Sequence, residues 1–164
     1  MTAKEENNPT QQRDDRVLVL TRVFDAPRSL VFEAWTTKEH LDQWCAPRGF
    51  TIPWSEGDLR PGGPWRSCLR APDGTEYRLR GTYREIVRDE LLVFTHAWEE
   101  DDGTLSPETI VTVRFAEENG KTRLTFEQGP FRSVEARDGH QGGWTECLER
   151  LAEHVANLQT RSAS

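Results

Sequence analysis

The 164-residue chain has little of what staples, spans or anchors a protein. Its three cysteines, Cys45, Cys68 and Cys147, are odd in number and widely spaced, so they form neither a disulfide framework nor a zinc spacing. Reduced thiols in a cytoplasm fit that usage, and a cytoplasmic location is expected. No run approaches the ~18 apolar residues of a membrane-spanning helix. The opening "MTAKEENNPTQQRDD" also lacks the apolar centre of a signal peptide. Basic residues are scarce: 21 Lys and Arg against 28 Asp and Glu leave a formal charge of −7. That balance argues against a general nucleic-acid binder, which needs a basic face to release counterions, and against an anionic membrane surface. Catalytic signatures are missing as well. There is no GxSxG elbow, no HExxH and no Walker loop, and "GHQGGW" precedes a helix without following a strand, unlike a dinucleotide fingerprint. The expectation is no metal, no cofactor, no nucleic-acid or membrane partner, and a monomer or homodimer that meets a small apolar ligand.

What the chain does have is aromatic surface to bury: six Trp and seven Phe against one Met. A single domain of this length can bury roughly 70% of its unfolded surface. The domain is expected over residues 16–159, between polar tails at 1–15 and 160–164. "RVLVLTRVF" (16 to 24) is apolar on both faces and reads as a largely buried strand. In "DAPRSLVFEAW" the period changes to a helix, with Asp25 placed to cap it, Pro27 in its first turn and Val31, Ala34 and Trp35 on one stripe. A second short helix starts from Thr37, carries Leu41 and Trp44 inward and stops before Pro47. From Gly49 to Gln128 the pattern is six antiparallel strands separated by turn signals such as "RPGG", "PDG" and "NGK". "GHQGGWTECLERLAEHVANLQ" then restores helical spacing, with Trp144, Leu148, Leu151, Val155 and Leu158 on one stripe and the glycines forming a tight entry.

Alternation assigns the inner face of the sheet. "LLVFTHAW" puts Leu92, Phe94, His96 and Trp98 on one side. Outward arginines leave Trp65, Ser67 and Leu69, and then Tyr77, Leu79, Gly81 and Tyr83, pointing inward. Leu124, Phe126 and Gln128 share the inner face of the last strand. A dry core would favour aliphatic residues, because each unsatisfied buried polar group costs about 1–3 kcal/mol. Polar tips on an aromatic wall match a small-molecule cavity instead.

The ordered strings "RVFDAPRSLVFEAWTTKEHLDQW", "GFT", "DLRPGGPWR", "PDGTEY", "FTHAW", "VTVRF", "GKTRLTF" and "GGWTECLERLAEHV" resemble the bacterial single-domain proteins of the heat-shock protein 90 ATPase activator-like family. That family lies within the START-like (SRPBCC, helix-grip) superfamily, and the likeness runs over about residues 17 to 158. It implies an α+β helix-grip fold: a curved antiparallel sheet of about seven strands wrapped around a long C-terminal helix, with two short helices after the first strand. It also implies an internal cavity under that helix. Gly62, Gly63, Trp65, Phe94 to His96, Gly143 and Trp144 are the positions that match. Where relatives carry a second Trp and a Gly, this chain has Cys45 and Ala46, which implies a more open wall there.

The expected ligand-binding set is Trp35, Trp65, Ser67, Tyr77, Tyr83, Phe94, His96, Trp98, Phe126, Gln128, Trp144 and Leu148. His96 is the best candidate for chemistry, with Tyr83 or Gln128 as partner, but a ligand-orienting role and a structural hydrogen bond stay open beside catalysis. His40 and His140 are expected at the surface, and His154 at the edge of the helical stripe. Cys147 is placed near the cavity as an inert buried thiol. The leading functional reading is binding of a small, largely apolar molecule, aromatic or lipid-like. The alternatives are an enzyme of the polyketide-cyclase or hydrolase type and a co-chaperone role. The last is disfavoured by the short segment ahead of the first strand, because the eukaryotic activators have an additional N-terminal domain.

Overall fold

A computed structural model describes residues 15–163. The expected tail at 1–15 therefore lies almost wholly outside the described residues, as does Ser164. Seven strands, β1 (Leu18–Phe24), β2 (Thr51–Gly57), β3 (Pro64–Arg70), β4 (Glu76–Val87), β5 (Leu91–Trp98), β6 (Thr109–Glu118) and β7 (Lys121–Gly129), form one antiparallel sheet. Helices α1 (Arg28–Thr36) and α2 (Lys38–Trp44) follow β1, and α3 (Val134–Ala163) closes the chain.

The sheet order β1-β7-β6-β5-β4-β3-β2 is a meander from β2 to β7, with β1 laid against β7. Its two edges, β1 and β2, are thus joined by the segment that holds α1 and α2. That segment has to cross one face of the sheet. α3 covers the same face, and packing divides into two halves. Over β1, β6 and β7 the space is filled: Trp35, Trp44, Phe126, Leu148, Leu151 and Val155 are buried together with Leu18, Phe24 and Leu124. Trp35 lies edge-on to Trp44, with ring centroids 4.7 Å apart, and stacks at 5.9 Å on Trp144.

Four local expectations are corrected. The outer face of β1 is uncovered, so Val19 and Val23 turn to solvent at 55% and 42% exposure; an apolar run cannot reveal that its second face has no neighbour. Asp25 does not cap α1, whose N-cap is Pro27; the Asp25 carbonyl instead accepts from Gln159. Helix α3 starts at Val134, with Ser133 Oγ accepting from the Ala136 amide, so Gly139, Gly142 and Gly143 lie inside the helix and not at its entry. The same helix runs on to Ala163, past the expected end at 159.

Candidate functional site

Between β2–β5 and α3 lies a cavity of about 620 Å³, closed at one side by α2 against β2, where Ser55 Oγ donates to Asp42. The reason is written in α3. Its inner face there carries Ala136, Gly139, Gly143 and Cys147, small residues that line the cavity beside the larger His140 and Trp144. Nothing lies within 4 Å of a Cβ placed on Gly139, and Gly143 meets only Pro47 at 3.7 Å. A glycine inside a helix costs roughly 0.5–1 kcal/mol relative to alanine, so the hollow comes at the expense of helix stability. One turn away, Leu148 and Leu151 point into the filled half.

Of the twelve residues expected at the site, nine line this cavity: Trp35, Trp65, Ser67, Tyr77, Tyr83, Phe94, His96, Trp98 and Trp144. Phe126, Gln128 and Leu148 do not. Phe126 sits beneath Trp144, ring centroids 4.4 Å apart, and Leu148 belongs to the filled core, where its neighbour Cys147 takes the cavity position. Gln128 is fully buried and acts as a strut: its Oε1 accepts from Trp144 Nε1 at 2.8 Å, and its Nε2 donates to Thr109 Oγ1 at 2.9 Å. It sets the indole that lines the cavity without lining it itself. Parity along a strand identifies the face of a residue but not which half of a long face stays open.

The aromatic wall is held by unusual sheet geometry. Trp65 Nε1 donates to the Thr95 carbonyl at 3.2 Å, and Thr95 Oγ1 accepts from the Thr82 amide at 2.9 Å. Gly81 makes this crossing possible, since a Cβ there would run into the Thr95 carbonyl oxygen and lie 2.6 Å from Trp65 Nε1. Trp65 then packs edge-on to Phe94 at 5.8 Å and against His96 at 5.9 Å.

His140, expected at the surface, is a wall residue. Trp98 Nε1 donates to His140 Nε2 at 3.0 Å, and His140 Nδ1 lies 2.8 Å from the Ala136 carbonyl. An indole N–H only donates and a carbonyl only accepts, so the proton of His140 sits on Nδ1. His96, Trp98 and His140 form a partition, because they also line a second hollow of about 250 Å³ on their other side. This outer compartment adds Glu100, Ser106 and Thr109. His40 is not a free surface group either: its Nδ1 is 2.8 Å from His154 Nε2, which ties α2 to α3. Helical spacing from Ala136 would have placed His140 inward had the helix start at Ser133 been recognised.

Burial controls the charge states. It pushes His96 down to about 3, helped by the nearby His140. It pushes Tyr83 up to about 12, with a smaller contribution from Cys45, and Cys45 itself up to about 12 against the opposing pull of Arg150. Cys147 is raised well above the ordinary thiol value, again mainly by burial. All four are therefore neutral near pH 7. Such a wall offers hydrogen bonds to a guest but no thiolate, and neither His96 nor Tyr83 is tuned to exchange a proton near neutrality. The described residues contain no group of three or more His, Cys, Asp or Glu able to hold a metal ion, and no helix among them is long and apolar enough to cross a membrane.

Residues 25–156 match the family described as Activator of Hsp90 ATPase homolog 1-like protein. Among solved structures, the chain is similar to a protein of that family from Silicibacter pomeroyi, at 29% identity over 85% of this chain and 97% of that one, with a TM-score of 0.78. It is also similar to a protein from Chromobacterium violaceum, at 26% identity over 84% and 95%, TM-score 0.78. A protein from Nitrosomonas europaea, 22% identical over 89% and 97% with a TM-score of 0.76, shares the fold. No curated protein matches the chain.

Proposed function

Since the chain belongs to the Activator of Hsp90 ATPase homolog 1-like family and has the helix-grip fold, we propose that it reversibly binds a small, largely apolar molecule in the space between β2–β5 and α3. The observation that carries this reading is the hollow of about 620 Å³ walled by Trp65, Phe94, His96 and Trp144. Its size falls within the roughly 300–1,000 Å³ typical of ligand sites. The bare stripe of α3 supports the reading, because a helix that needed only to cover the sheet would gain stability from larger side chains at Gly139 and Gly143.

Burying about 300 Å² of an apolar guest is worth about 7 kcal/mol gross, and association consumes much of that. Micromolar affinity is the expectation. In this reading His96 is a neutral donor and acceptor that orients the guest. A cyclase or hydrolase would need His96 and Tyr83 to trade protons near pH 7, and burial holds both in one form.

The test is a panel of lipophilic probes monitored by tryptophan emission, since Trp35, Trp65, Trp98 and Trp144 all line the space. Saturable quenching or shifting by at least one class of probe is expected. No response from any probe would refute the reading.

A further inference from the structure

Three cationic side chains reach the wall of the cavity: Lys38, Arg66 and Arg132. Two are already committed. Lys38 Nζ lies 2.7 Å from Asp42 Oδ2, and Arg66 forms a bidentate pair with Glu99 at 2.7 and 2.8 Å. Arg132 has no carboxylate within ion-pairing distance among the described residues, although 28 acidic residues outnumber 21 basic ones in the chain. It is exposed, and it lines both the main cavity and the outer compartment at the edge of the Trp98–His140 partition. The carboxylate residues that line the two compartments are Asp42, Glu56 and Glu100. Asp42 is held by Lys38 and Ser55, Glu56 lies in the field of Arg66, and Glu100 shares the outer compartment with Arg132 but forms no ion pair with it.

We propose that the guest is an amphipathic carboxylate, with its apolar body in the main cavity and its anionic group on the Arg132 guanidinium at the shared rim. The inference rests on the cavity-binding reading and names the ligand class. A planar guanidinium offers two parallel N–H groups to a carboxylate. A phosphate dianion would call for several cations, and one is free. The apolar wall fixes the body of the guest, and the rim cation fixes which end remains at the mouth.

The probes are decanoate and decanol, which share a chain and differ in charge. Both are titrated by tryptophan emission against the unaltered protein, Arg132→Gln and Arg132→Glu. Arg132 makes no ion pair in the fold, so these variants leave the scaffold intact. The unaltered protein is expected to bind decanoate about fivefold more tightly than decanol, the order expected for one solvent-accessible ion pair, with the difference shrinking as salt rises. Arg132→Gln is expected to erase the difference without changing decanol binding, and Arg132→Glu to reverse it. Equal binding of both probes by the unaltered protein, or a preference that survives Arg132→Gln, overturns the assignment of an anionic guest and leaves cavity binding standing. Binding of neither probe also overturns the assignment of an alkyl carboxylate, while the wider panel of lipophilic probes decides the cavity reading by itself.

Discussion

His96 gives the sharpest prediction, because its environment ties the cavity wall to stability. An ordinary histidine titrates near 6.5, whereas burial and His140 hold His96 at about 3 in the fold. Between those values the unfolded chain takes up a proton that the folded chain refuses. The stabilisation from a neutral His96 is therefore complete above about pH 6.5, and is lost as pH falls from there through the folded value. The slope is about 1.4 kcal/mol per pH unit, so roughly 2 kcal/mol is missing at about pH 5. The carboxylates Glu76, Glu99 and Glu153 are also depressed, by hydrogen bonds from Arg70, Arg66 and Arg48 respectively. Their stabilisation begins to fade only near and below the unfolded carboxylate value of about 4.3, so the interval from about pH 7.5 to 5 largely avoids them, and subtraction of a variant lacking His96 removes what both proteins share. The measurement is urea unfolding of the unaltered protein and of His96→Phe at both ends of that interval, with the two pH dependences subtracted. The variant should lack about 2 kcal/mol of the acid loss. Parallel loss in both proteins would mean that His96 ionises in the fold near its ordinary value, and the argument for a neutral, orienting imidazole would fail.

Substitutions at two glycines separate cavity from scaffold. Gly139→Ala meets no atom within 4 Å; it should stabilise the protein by about 0.5–1 kcal/mol through helix propensity, seen as a melting temperature ~1–4 °C higher. Gly139→Leu should keep the fold by circular dichroism but lose the emission response to lipophilic probes; an unchanged response would place their binding elsewhere. Gly81→Ala should cost at least about 1–3 kcal/mol in urea unfolding, because its Cβ collides with the Thr95 carbonyl and with Trp65 Nε1. It should also shift the Trp65 contribution to emission, and a neutral outcome would show that the Trp65–Thr95 hydrogen bond does not hold the wall.

The fold was legible where a period is uninterrupted. Alternation through "LLVFTHAW" placed Leu92, Phe94, His96 and Trp98 on the cavity side, because β5 has neighbours on both edges and keeps its pleat. It failed where depth or context decides. Gln128 has the right parity but sits over β7, where the helix is in contact, so it props Trp144 and meets no guest space. His140 was hidden because "GHQGG" has no apolar stripe to set a helical phase, so its glycines read as a turn. Arg132 carries no local signal at all. Its interest comes from what Asp42 and Glu99 do with other cations, and those pairings join residues from separate elements.

The glycines of α3 have a consequence for how this architecture can vary. Between the His140 and Trp144 side chains the ceiling of the chamber is bare main chain, so that stretch imposes almost no shape of its own. Replacing one or two of its positions would resize the room without disturbing a single strand. Apart from Trp144 and His140, the groups that would recognise a guest stand on the floor and at the doorway, where they can change separately. Capacity and selectivity are encoded in different parts of the chain, which lets the same scaffold be refitted for a new occupant one attribute at a time.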